Sequence, residues 1–164
     1  MMDADSIALR TKNDLLRRNA IFETFFSTEA PRLARACQEM SRRFLAGGRL
    51  LAFGRGAAAT DAQHVSVEFV HPVIVGKRAL PALDLGIEFE SRLPILLRPD
   101  DIVLGFAFPE PDPAVSRALA TAQQRGALTF ALASYSRQGL GAEADYPFTL
   151  PDTDPFIAQE VFEV

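Results

Sequence analysis

The sequence predicts an α/β fold, a three-layer αβα sandwich with a mainly parallel, five-stranded sheet in the middle. Three observations predict it. Short apolar runs alternate with stretches of helical periodicity. The runs are almost free of polar residues, as strands covered on both faces are. Helix-start pairs, Asp112-Pro113 and Asp154-Pro155, come after apolar runs rather than inside them. Right-handed crossovers then place helices on both sides of one sheet.

The first stretch is helical. In Asp14–Phe26, the residues Leu15, Leu16, Phe22, Phe25 and Phe26 recur at helical spacing. A second helix is expected after Ser27 or Thr28 as N-cap, with Pro31 in its first turn. Leu33, Cys37, Met40 and Phe44 mark its buried face, and Gly47-Gly48 ends it. Residues 1–46 thus read as N-terminal helices, and 47–164 as the α/β core of one domain. Arg32, Arg35, Arg42, Arg43 and Arg49 read as the solvated side of a helix rather than a basic patch.

The core follows in order. Arg49–Phe53 is the first strand, and Gly54–Ala59 is a turn of small residues. Thr60–Val70 is a helix, with Thr60 or Asp61 near its start. Ala82–Leu85 and Ile102–Ala107 are the second and third strands. Asp112 caps a helix that runs from Pro113 to Arg125 and closes at Gly126. Leu128–Ala133 and Tyr146–Leu150 are the fourth and fifth strands. Pro155 opens a last helix carrying Phe156, Ile157, Val161 and Val164. That helix stops in mid-pattern, so the chain is expected to be shorter than its relatives, or a fragment. Ligands of such sheets bind beyond the carboxyl ends of the strands, where Gly54–Ala59 sits.

Composition narrows the function classes. A net charge of −4 argues against a nucleic-acid surface, which needs clustered Lys and Arg. The single cysteine, Cys37, excludes an internal disulfide and suits a reducing compartment; on its apolar stripe it reads as a buried structural thiol. No apolar run approaches the roughly 20 residues that span a bilayer. The expectation is a cytoplasmic protein with neither a nucleic-acid nor a membrane partner.

One set of motifs is more specific. Gly48–Gly56, then Asp61-Ala62-Gln63-His64 and Glu68, resembles the start of the sugar isomerase (SIS) family, in its phosphoheptose isomerase branch. Asp100–Gly105, Gln124-Arg125-Gly126 and Ile157–Val161 are similar to later family segments, in order and spacing. The resemblance implies a flavodoxin-like sheet, a homotetramer with sites between subunits, and isomerisation of sedoheptulose 7-phosphate; assembly of this chain as a homodimer or homotetramer is the expectation. Some family members bind zinc. It also implies that Glu68 is the base moving a proton between two sugar carbons, with His64 beside it. His64, Glu68 and Gln159 match zinc ligands. Gly54, Arg55, Gly56, Ala57, Ala58 and Asp61 match the sugar-binding turn and its helix. The family's fourth ligand is a histidine falling past Val164. Spacing alone leaves open that His64 and Glu68 are a helix-face pair, since residues four apart share a face. His71 reads as a surface or interface histidine that has a ligand role near Glu68 as its alternative.

The phosphate site departs from the family. A loop of hydroxyl residues is matched here by Ala107-Phe108-Pro109-Glu110-Pro111-Asp112. Pro109 and Pro111 remove backbone donors, and Glu110 and Asp112 bring negative charge to a place for a dianion. The family's loop serine is matched by Ala58 and its asparagine by Arg55. Arg55 either grips an anion by two bonds or pairs with a neighbouring acid. Phe106 and Phe108 read as core or pocket-wall aromatics. The segment between Leu85 and Asp100 is shorter than the family's. The expectation is a repurposed, non-catalytic domain that binds a carbohydrate derivative or a protein partner as a regulator or scaffold. The alternative is an active aldose–ketose isomerase.

Overall fold

The computed structural model describes residues 3–108, 110–133, 144–150 and 154–163. Pro109 and Val164, named above, lie outside them. The chain divides into two compact units, Met1–Ala34 and Arg35–Val164.

The expected break after Ser27 does not occur. One helix, α1, runs from Ala4 to Leu45 with Pro31 inside it. The Thr24 hydroxyl donates to the Ala20 carbonyl at 2.8 Å, and the Ser27 hydroxyl donates to that of Thr24 at 3.1 Å. Ser27, one of the two expected caps, is thus spent within the helix and does not start a new one. No glycine supports a stop, and a single interior proline costs about 3 kcal/mol, which 42 residues of helix absorb. Within the first unit, Phe22 and Phe26 stand 6.0 Å apart, and the Arg18 guanidinium lies 4.5 Å from the Phe22 ring centre.

The second unit is the sandwich. Strands β1 (Leu50–Gly54), β2 (Ala82–Asp84), β3 (Ile102–Ala107), β4 (Leu128–Ala133) and β5 (Tyr146–Thr149) form one sheet in the order β2-β1-β3-β4-β5. All four pairings are parallel. This is the flavodoxin-like order, and the strand order reverses between β1 and β3. Every residue of β1 and β3 is buried, which is why both read as unbroken apolar runs. Helices α2 (Ala58–Val70), α3 (Phe89–Leu96), α4 (Pro113–Gln124) and α5 (Pro155–Glu163) connect or follow the strands. The 3₁₀ turn Gly86–Glu88 and α3 fill the stretch that had no expected element.

Two arginines of the expected solvated face are half-buried and bound to the rest of the unit. Arg43 donates to the carbonyls of Pro99 and Gly126 at 2.7 and 2.9 Å. Arg49 binds Asp101, a fully buried carboxylate, through Nη2 at 2.7 Å and Nε at 3.1 Å. Asp101 also accepts the backbone N–H of Arg49 and of Arg98, so it ties the amino ends of β1 and β3 together.

The expected buried face of α1 is not covered either. Cys37 is exposed, and Met40 and Phe44 are only half-buried. Periodicity identifies an apolar face but not what lies over it.

Candidate functional site

At the switch point, Gly54 pairs with Phe106 across β1 and β3. A cleft of about 230 Å³ opens just beyond, lined by Arg55, Gly56 and Ala57 on one side and Phe106–Phe108, Glu110, Pro111 and Asp112 on the other. Gly54 is required by close approach: a Cβ there would lie 2.6 Å from the Ala58 carbonyl oxygen. Helix α2 therefore starts at Ala58, earlier than Thr60. The Thr60 hydroxyl donates back to the Ala57 carbonyl at 2.6 Å, and no side chain caps the helix.

Two charged groups of the cleft, Arg55 and Asp112, face each other. Asp112 N-caps α4, and its Oδ1 accepts the Ala114 N–H at 2.8 Å. Its Oδ2 lies 3.8 Å from Arg55 Nε. Arg55 Nη2 donates to Glu90 Oε2 at 2.5 Å, and its guanidinium sits 5.1 Å from the Phe89 ring centre. Glu90 also accepts from Arg117 at 3.0 Å. The Arg117 bond first, and the Arg55 bond against the pull of burial, hold Glu90 below the ordinary carboxylate value. Arg55 is thus paired with acids of its own chain. Glu90 could not be foreseen, because 35 residues of sequence separate it from Arg55.

The second cluster lies between α2 and α5. His64 Nε2 is 3.6 Å from Glu68 Oε1, one helical turn on, and its Nδ1 is 3.9 Å from Glu163 Oε1. Gln159 Nε2 donates to Asp61 Oδ1 at 2.8 Å. The contacts Asp61–Gln159 and His64–Glu163 advance together, so the two helices run side by side in one direction. Asp61 is buried at 4% exposure, and its Oδ2 has no hydrogen-bond partner. Burial first, and the neighbouring Glu163, push its pKa up. Sequence reading missed Glu163, although it stands four residues after Gln159 and so on the same helix face. His71 is exposed at the C-cap of α2.

Zinc sites draw on three or more donors from Cys, His, Asp and Glu. Among the described residues, no group of three such side chains is placed to hold a metal ion. His64 and Glu68 are two, and Gln159 is a neutral amide engaged by Asp61. This donor set falls short of a zinc site. Also among the described residues, no helix is long and apolar enough to cross a membrane.

The chain matches no family profile. Individual relatives are clear. It is 34% identical to the phosphoheptose isomerase of Synechocystis sp. over 137 residues, 73% of this chain and 70% of that protein. It is 30% identical to that of Crocosphaera subtropica over 151 residues, 80% of this chain and 77% of the relative. The chain belongs to the phosphoheptose isomerase family. The fold agrees with that of solved phosphoheptose isomerases. The Neisseria gonorrhoeae structure superposes with a TM-score of 0.80 at 18% identity, over 96% of this chain and 94% of that one. The Francisella tularensis structure gives 0.70 at 19% identity over 92% of each. In this chain His64 and Glu68 are paired on α2. Its switch-point cleft has Arg55, Glu110 and Asp112, with Glu90 bound to Arg55 from α3.

Proposed function

We propose that this phosphoheptose isomerase-like domain acts by binding, as a regulatory or scaffolding protein, and does not isomerise a sugar phosphate. The observation that carries this reading is the Asp112 carboxylate on the first turn of α4. Free amides and the helix dipole make that turn an anion site, and here an internal anion fills it. The adjacent cation, Arg55, is held by Glu90 and Asp112. An incoming phosphate would also meet Glu110. Two like charges about 4 Å apart repel by about 4 kcal/mol near a protein surface. An uncharged carbohydrate derivative against Phe106 and Phe108 meets no such barrier. Assembly as a homodimer or homotetramer in the cytoplasm is part of the same proposal.

The test pairs binding with turnover. Sedoheptulose 7-phosphate should leave the melting temperature unchanged, and no isomer should form with or without added zinc. Turnover that Glu68→Gln abolishes would overturn the proposal.

One observation favours the alternative, an active aldose–ketose isomerase. Glu68 lies beside His64 on a partly exposed helix face, where a carboxylate can carry a proton between adjacent carbons. Zinc at His64, Glu68 and Gln159 belongs to this alternative and needs a further donor from beyond the described residues.

A further inference from the structure

A second concavity lies at the other end of the sheet. It is a groove of about 650 Å³, bounded by the end of α1, Phe69 of α2 and the segment that leads into β2. Gly47 precedes β1 and Pro81 precedes β2, so the groove sits at the amino ends of the strands, away from the Arg55 cleft. Its volume is in the range of pockets that take small molecules.

The floor is apolar. Phe44 and Phe69 stack at 5.7 Å with an interplanar angle of 29°, and Met40 and Leu80 continue it. This is the face of α1 whose periodicity implied burial. The rim is basic. Arg78 lines the groove, and Lys77 and Arg78 line an adjoining hollow of about 260 Å³. Neither side chain has a hydrogen-bond or ion-pair partner among the described residues. The acid in that hollow is Glu68, which stands beside His64. A tight turn, closed by the Lys77 N–H on the Ile74 carbonyl at 3.1 Å, holds the two cations at the edge of the apolar surface.

We propose that this groove binds an organic anion with an apolar body, of the acyl carboxylate class. The body lies along Phe44 and Phe69, and the carboxylate meets Arg78 and Lys77. Charge complementarity selects the head group: two unpaired cations border a floor that offers little to a polar body. A sugar phosphate satisfies the rim but leaves its hydroxyls facing aromatic carbon. The inference does not depend on the reading of the Arg55 cleft.

The single cysteine makes the test local. Cys37 is exposed and lines the groove, so its alkylation by iodoacetamide reports occupancy. The whole protein is titrated with octanoate, decanoate, dodecanoate and the neutral dodecanol, with calorimetry in parallel. Dodecanoate should bind and slow alkylation. Affinity should fall about fourfold for each methylene removed. Dodecanol should bind at least about tenfold more weakly, the worth of one charge-assisted contact. Lys77→Ala with Arg78→Ala should reduce dodecanoate affinity to the dodecanol level and leave dodecanol unchanged. Both side chains are exposed, so the double variant should fold. The proposal is overturned if no acyl carboxylate binds by calorimetry, if dodecanol matches dodecanoate, or if sedimentation shows a self-associated state in which Cys37 is unreactive, because a second copy then covers the groove.

Discussion

The carboxylate of Asp112 accepts the backbone N–H of Ala114 at 2.8 Å, while its other oxygen faces Arg55 at 3.8 Å. One side chain thus engages both a helix amide and the neighbouring cation that an external anion would use. Asp112→Ser keeps an N-cap hydroxyl and removes the charge. Combined with Glu110→Gln, it should let inorganic phosphate raise the melting temperature, while the wild type stays indifferent. At a hundredfold excess over Kd the gain is about 2.7 kcal/mol. A variant as indifferent as the wild type would show that these carboxylates are not what excludes phosphate.

Asp101 should govern acid stability. Burial works to raise its pKa, but the Arg49 side chain and the Arg98 and Arg49 amides outweigh it, and the net shift is downward from 3.8. A carboxylate with a depressed folded pKa stabilises the fold above its unfolded value and loses that contribution as pH falls through the folded value. The loss therefore falls at and below about pH 4. Asp101→Asn leaves the Arg49 guanidinium, only 17% exposed, without its charge partner. Breaking a buried pair costs about 3–5 kcal/mol. Urea denaturation at pH 7 should show that loss, and it should shrink at pH 3.

The legible parts of this chain were those set by local chemistry. The third and fourth strands appear at their expected limits, Ile102–Ala107 and Leu128–Ala133, because buried parallel strands leave continuous apolar runs. The Asp112-Pro113 start of α4 was equally plain. Ser27 misled because a hydroxyl shortly before a proline suits a cap, yet it bonds back along α1. Cys37 misled because an apolar stripe does not say whether anything covers it. At the site, the His64–Glu68 spacing could be read directly. The Arg55–Glu90 pair could not, because it exists only once α3 packs beside the first turn.

Asp61 should act on stability with the opposite sign to Asp101. Burial first, then Glu163, raise its pKa above 3.8. The folded state holds that proton longer than the unfolded chain does. The contribution of Asp61 to stability is therefore greatest at low pH and declines as pH rises from about 4 through the raised value. Asp61→Asn keeps an oxygen for Gln159 and cannot ionise. The variant should be more stable than the wild type at pH 7, and the two should converge near pH 4. Denaturation midpoints at the two pH values measure this, and a variant less stable at pH 7 would mean that the ionised carboxylate is favoured in place.

Gly54 and Gly56 should both resist substitution, for different reasons. A Cβ on Gly54 would meet the Ala58 carbonyl oxygen at 2.6 Å and its carbon at 2.8 Å, and backbone cannot swing aside as a side-chain tip can. Gly54→Ala should push the start of α2 away from β1 at a cost of about 1–3 kcal/mol. Gly56 has open space around it but a φ of +60°, so Gly56→Ala should cost about 1–2 kcal/mol, from backbone strain alone. The two are separable by structure as well as stability. Gly54→Ala should shift the amide resonances of Ala58 to Asp61 and loosen Arg55 from Glu90, whereas Gly56→Ala should leave α2 in place. Unshifted α2 resonances in Gly54→Ala would show that the approach of helix to strand is not what requires glycine there.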